Sequence, residues 1–149
     1  MVLSSGASST SCVPVLDGHI LKKSIEWAPI GGDYVSEHAN EFLSKLGVQV
    51  VPRYLVKSKT SVDRQFPAVY QLKKYPHVTQ SYHDLQMQNA LHEFKESIAN
   101  VAEAPFDDKI LKKRSHRNFE FANGYNTTFG ADRYRISESM FQESFQTVA

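Results

Sequence analysis

The chain has 149 residues, 41% of them hydrophobic, enough to bury the core of one ordinary domain, and its composition does not argue for disorder. Its formal net charge of +1 excludes the strongly basic class of non-specific polyanion binders. The single cysteine, Cys12, rules out an internal disulfide, no Cys/His set has zinc spacing, no apolar run approaches the roughly 20 residues that span a bilayer, and the start lacks a basic segment followed by a hydrophobic stretch, so the expectation is a soluble, non-secreted protein of a reducing compartment, cytoplasm or nucleus.

Val2 and Leu3 read as a short strand that runs into the small residues Ser4, Ser5, Gly6, Ala7, Ser8 and Ser9. Next, Cys12–Val15 and His19–Leu21 flank Asp17-Gly18, a strong turn pair that predicts a hairpin. Gly31-Gly32 leads to Asp33, placed to cap a helix whose apolar positions Tyr34, Val35, Ala39, Phe42, Leu43 and Leu46 recur at helical spacing; Lys45 suits its last turn and Gly47 its end. From Val48 to about Gln80 the pattern degrades. Val48, Val50 and Val51 suggest extended chain, while Pro52, Pro67 and Pro76 with Lys57, Lys59, Lys73 and Lys74 predict an exposed, irregular, insertion-like region. Ser81 and Asp84 then mark the start of a long amphipathic helix carrying Met87, Leu91, Phe94, Ile98 and Val101, which stops before Pro105. After a polar, basic run from Asp107 to Arg117, Phe119 and Phe121 alternate on one strand face, and Asn123-Gly124 predicts a two-residue hairpin turn.

Few residues carry chemistry on their own. The six histidines have no spacing that makes a metal face, and Cys12, between apolar neighbours in a strand, reads as a buried inert thiol. Lys109, Lys112, Lys113, Arg114, His116 and Arg117 could touch nucleic acid or serve as an import signal, but a solvated loop is the simpler reading. Lys95-Glu96 on the long helix reads, from the residues alone, as a solvated surface pair.

The stretch FEFANGYNTTFGADRYRISESMF, Phe119 to Phe141, resembles the signature segment of the actin family, matched at Gly130, Asp132, Arg133, Arg135, Ser137, Glu138 and Phe141. Leu3-Ser4-Ser5-Gly6 before the Gly18 hairpin, and the Gly31-Gly32-Asp33 helix start, resemble that family's second phosphate loop and the helix after it. The resemblance implies an α/β chain that is part of an actin-like (ribonuclease H-like ATPase) fold. Residues 1–47 correspond to part of subdomain 3, residues 48–118 to a mostly helical insertion like subdomain 4, and residues 119–149 to the signature hairpin and following helix.

The same resemblance implies that backbone amides of Gly6, Ala7, Ser8 and Ser9 receive phosphates of ATP, that Lys95 flanks the base and that Glu96 accepts from the ribose. It also exposes departures: Ser4 and Ala7 stand where the family has aspartates, and Ser11 where it has a histidine that orients water. A hydroxyl does not replace a carboxylate around a hydrated metal, so hydrolysis by the usual route is expected to be severely weakened or absent, with no catalytic and no metal-binding residue assigned.

The segments VPRYLVKSK and NGYNTTFGADR are similar to the nuclear actin-related branch shared by chromatin remodelling and histone acetyltransferase complexes. That similarity implies a nuclear, non-enzymatic subunit partnered by nuclear actin, remodelling or acetyltransferase subunits, and histones or nucleosomes, without membrane contact. A complete actin-like fold has two lobes, so this chain is expected to supply one wall of a nucleotide cleft and to bind ATP weakly if at all, whether it is a fragment, a truncated product or part of a longer chain. The alternatives are an actin-like ATP-binding protein with an ATPase or cytoskeletal role, and a small autonomous binding module that shares the fold.

Overall fold

The computed structural model describes residues 1–75 and 77–141; the expected turn at Pro76 and the end of the 119–149 segment lie outside the described residues. The first strands, β1 (Val2–Ser5) and β2 (Thr10–Val13), pair antiparallel with Leu3 opposite Cys12, Ser4 opposite Ser11 and Ser5 opposite Thr10. The ribbon β3 (Val15–Leu16) and β4 (His19–Ile20) turns at Asp17 and Gly18, both with positive φ, at 49° and 79°, as an Asp-Gly type I′ turn requires. Strand β5 (Glu26–Ala28) completes a three-stranded sheet in the order β1-β2-β5. Cys12 lies in β2 but is half-buried rather than buried, because its cross-strand neighbours are Leu3 on one side and Glu26 on the other.

Helix α1 (Gly32–Lys45) buries Val35, Ala39 and Leu43 of the predicted stripe, leaves Tyr34 and Phe42 half-buried, and ends before Leu46, which is its exposed C-cap. Its N-cap is Gly31 instead of Asp33, which sits inside the first turn. Gly47, at φ 72°, closes the other end, with its N–H donating to Ser44 O. The segment expected to be irregular contains a second hairpin, β6 (Val56–Thr60) with β7 (Val69–Leu72), so it is more regular than its prolines and lysines suggest. Its register slips between Val56 and Ser58, leaving Lys57 as a bulge that breaks the alternation by which a strand is recognised. The valines before it form no strand, although Val48 and Val51 are buried.

Helix α2 (Gln80–Ile98) starts one residue before Ser81, capped by Thr79, and buries Leu91, Phe94 and Ile98; Val101 falls beyond its end and is exposed. No helix among the described residues is long and apolar enough to cross a membrane. After the short α3 (Asp108–Leu111), β8 (Arg117–Glu120) and β9 (Asn126–Phe129) form the last hairpin, followed by α4 (Asp132–Glu138). The turn of that hairpin corrects the two-residue expectation. Phe121 N–H donates to Tyr125 O and Gly124 N–H to Phe121 O, which closes a three-residue loop in which Gly124 takes φ 89° and the side chain of Asn123 accepts from Tyr125 N–H.

The core forms where α1, α2 and this hairpin meet. Phe94 is fully buried, edge-on to Phe119 and Phe129 and stacked on Phe121, with centroids 5.1–5.6 Å away. This cluster fixes the rotation of α2 and thereby the direction of its polar residues.

Candidate functional site

The loop of residues 6–9 joins β1 to β2 and is tied off by Gly6 N–H donating to Ser9 O at 2.9 Å. Beneath it, the hydroxyls of Ser5 and Thr10 are 2.8 Å apart, and Thr10 Oγ1 donates to Ile30 O at 2.7 Å. The loop sits on the start of α1: Gly32 N–H donates to Gly6 O at 3.0 Å and Asp33 N–H to Ala7 O at 2.8 Å. Two of the amides that a helix leaves unpaired at its N-terminus are thereby satisfied by loop carbonyls, which does the work expected of an Asp33 cap. Gly31 permits this approach, since a Cβ there would lie 2.4 Å from Ala7 O and 2.7 Å from Gly6 O.

Lys95, one turn before the end of α2, reaches across to the same place. Its Nζ donates to Gly32 O at 2.8 Å and to Ser36 Oγ at 3.1 Å, and lies 3.3 Å from where a Cβ of Gly32 would stand. An ammonium beside a helix N-terminus adds charge to the positive end of the helix dipole, an arrangement suited to an anion. Loop and lysine thus meet at the start of α1. Glu96 is not: it turns about 100° further round the helix, is exposed, and lies 3.1 Å from His92 Nε2.

Of the four loop residues, Gly6 has its N–H committed within the loop, while Gly6, Ala7 and Ser8 are exposed and Ser9 half-buried. Ser4 and Ser11, far from being scattered departures, are cross-strand partners. Directly opposed side chains on an antiparallel pair stand about 5 Å apart, so the two serines share one face of the sheet. Between α1 and α2 a cleft of about 240 Å³ opens, lined by Asp33, Ser36, Glu37 and Asn40 from one helix and by Gln88, Leu91 and His92 from the other.

The signature residues position this arrangement from behind. Arg133 is buried; its Nε donates to Ile98 O and its NH1 to Ser115 O, both at 3.0 Å, so it satisfies a carbonyl at the C-terminus of α2 three residues after Lys95. Gly130 leaves room for His116, whose ring would be 2.9 Å from a Cβ there. Arg135 pairs with Asp108. Neither Gly31 nor Arg133 is among the nucleotide-site residues expected from the sequence, although the Gly31-Gly32 pair and the signature match at Arg133 mark both positions.

The family model described as Actin matches residues 1–148. Actin-related protein 4 of Yarrowia lipolytica is 38% identical over 144 residues, which cover 97% of this chain and 33% of that protein. Actin-related protein 4 of Arabidopsis thaliana is 30% identical over 149 residues, 99% of this chain and 33% of the relative. A Schizosaccharomyces pombe protein named as the SWI/SNF and RSC complexes subunit arp42 is 30% identical over 160 residues, 97% of this chain and 37% of the relative. The chain therefore spans about a third of the length of the curated relatives it matches.

Proposed function

Since the chain belongs to the actin family, we propose that it serves as a non-catalytic actin-related subunit in the assembly of nuclear chromatin remodelling or histone acetyltransferase complexes, with at most weak binding of ATP. The observation that carries this reading is the Ser4–Ser11 pair. Two neutral hydroxyls face each other where, on the family pattern, a carboxylate and an imidazole organise metal and water. Neither hydroxyl accepts a proton readily near neutral pH, and neither matches a carboxylate as a ligand for a hydrated divalent cation.

The residues present fit an anion better than a metal. Free amides of the exposed loop and the Lys95 ammonium can hold phosphate oxygens; bound ATP would supply charge and binding energy rather than a cleavable bond. Glu96 would have to leave His92 to accept from a ribose. Residues 1–47, 48–118 and 119–149 correspond in this reading to part of subdomain 3, an insertion like subdomain 4, and the signature segment. The printed name of the fission yeast relative supports a place in remodelling complexes; nuclear location and contacts with actin, histones or nucleosomes follow from that place.

Affinity purification of the tagged protein from its own cells, followed by mass spectrometry, tests the proposal. Remodelling or acetyltransferase subunits should co-purify in stoichiometric amounts, and their absence would refute it. One observation favours an ATPase: Asp33, whose amide is bonded to Ala7 O and whose side chain lines the cleft, could supply a carboxylate from α1. That reading requires magnesium-dependent turnover that disappears in Asp33→Asn.

A further inference from the structure

We infer that the groove beside the β6–β7 hairpin binds a single strand of nucleic acid, a site independent of the phosphate loop and of the proposed complex membership. Lys57, Leu72, Lys73, Lys74 and Tyr75 line one open groove of about 580 Å³. All five are exposed. The hairpin is built to gather them. Lys57 is the bulged residue of β6, and a bulge re-aims the side chain it displaces. Lys73 is pinned by its N–H to Leu55 O at 2.7 Å. Tyr75 rests against Tyr54 with centroids 6.0 Å apart, and Tyr54 is held in turn by a 2.8 Å hydrogen bond between its hydroxyl and His83 Nδ1 and by the edge of Tyr82.

Charge selects the class of ligand. Lys59, on the same strand, is paired with Glu120 at 2.5 Å, whereas among the described residues no acidic partner stands within ion-pair distance of Lys57, Lys73 or Lys74, and no acidic residue lines the groove. Gathering three unpaired ammonium groups costs energy that an anion would recover. The chain's net charge of +1 excludes a uniformly basic surface but not a local one.

The tyrosine then separates polyanions. An exposed aromatic ring steadied by a neighbouring ring suits an unpaired base, while its neighbouring lysines suit the phosphates on either side. A duplex keeps its bases stacked inside and gains nothing from Tyr75; an acidic peptide offers carboxylates but no base.

Fluorescence anisotropy with the 149-residue chain and labelled 12-nucleotide thymidine and uridine strands tests the inference, with a duplex of equal length and a poly-glutamate peptide as comparisons. The single strands should bind best, with affinity falling about 20-fold from 50 to 200 mM salt for three phosphate contacts, and the log–log slope shrinking by about 0.7 for each of Lys57→Gln, Lys73→Gln and Lys74→Gln. Tyr75→Ala should weaken single-strand binding about tenfold, and Tyr75→Phe, which keeps the ring, should bind as the parent does. The DNA and RNA strands distinguish the two sources of the same chemistry. No binding to either strand, equal or tighter binding of the duplex or the peptide, or loss of binding through Lys112→Gln with Lys113→Gln instead of the groove variants would overturn it.

Discussion

Replacing Arg133 by alanine should unfold the back of the site before it disturbs the front. The guanidinium is buried and holds two backbone carbonyls, Ile98 O and Ser115 O, at 3.0 Å each, with the ring of Tyr134 5.7 Å from its centre. A hydrogen bond from a charged donor contributes about 1.5–3 kcal/mol, so two give about 3–6 kcal/mol; relief of the buried charge moves the expected loss toward the lower end, about 3 kcal/mol. Against the ~5–15 kcal/mol that stabilises a typical domain, this is a large fraction. Urea unfolding followed by circular dichroism should show a lowered midpoint with an unchanged slope, and Arg133→Lys, which can reach one carbonyl at a time, should fall between the two. A loss below about 1 kcal/mol would refute the assignment of Arg133 as the clamp on α2.

Other expectations concern the core, the loop and one phenol. Phe94→Ala, which empties the centre of the Phe119, Phe121 and Phe129 cluster, should cost about 3–5 kcal/mol in the same unfolding assay. Gly31→Ala must push the loop off α1, and amide exchange at Gly32 and Asp33 should accelerate selectively, while exchange in α2 stays as in the parent. The phenol of Tyr54 is held above its ordinary value of 10.0 by burial first and by Tyr82 second. The fold therefore favours the neutral form, so its contribution is intact below pH 10 and disappears as pH rises through the folded value; denaturation midpoints of Tyr54→Phe should decline less over that range.

Local chemistry made some elements legible and concealed others. Asp17-Gly18 announced its turn because both residues tolerate positive φ, and α1 announced itself through a clean stripe from Val35 to Leu43. Asn123-Gly124 marks a turn but not its loop length, because Phe121 rather than Ala122 pairs with Tyr125, so the ladder closes one residue earlier on the N-terminal side than a two-residue turn needs. The β6–β7 hairpin was concealed by its bulge at Lys57, which destroys the period of two. The neighbourhood of the loop and Lys95 is not legible in local pattern. These groups lie 63 residues apart between Gly32 and Lys95, and no local pattern records a contact at that separation. Glu96 follows Lys95 in the chain, but the step of about 100° between neighbours on a helix parts the two side chains.

The proposed lack of catalysis at the Ser4–Ser11 pair is tested most directly by magnesium-dependent ATP hydrolysis, measured as phosphate release on the protein purified from its own cells beside its Lys95→Ala variant. Both should release phosphate at the rate of the protein-free control. Turnover that requires magnesium and collapses in Lys95→Ala would contradict it.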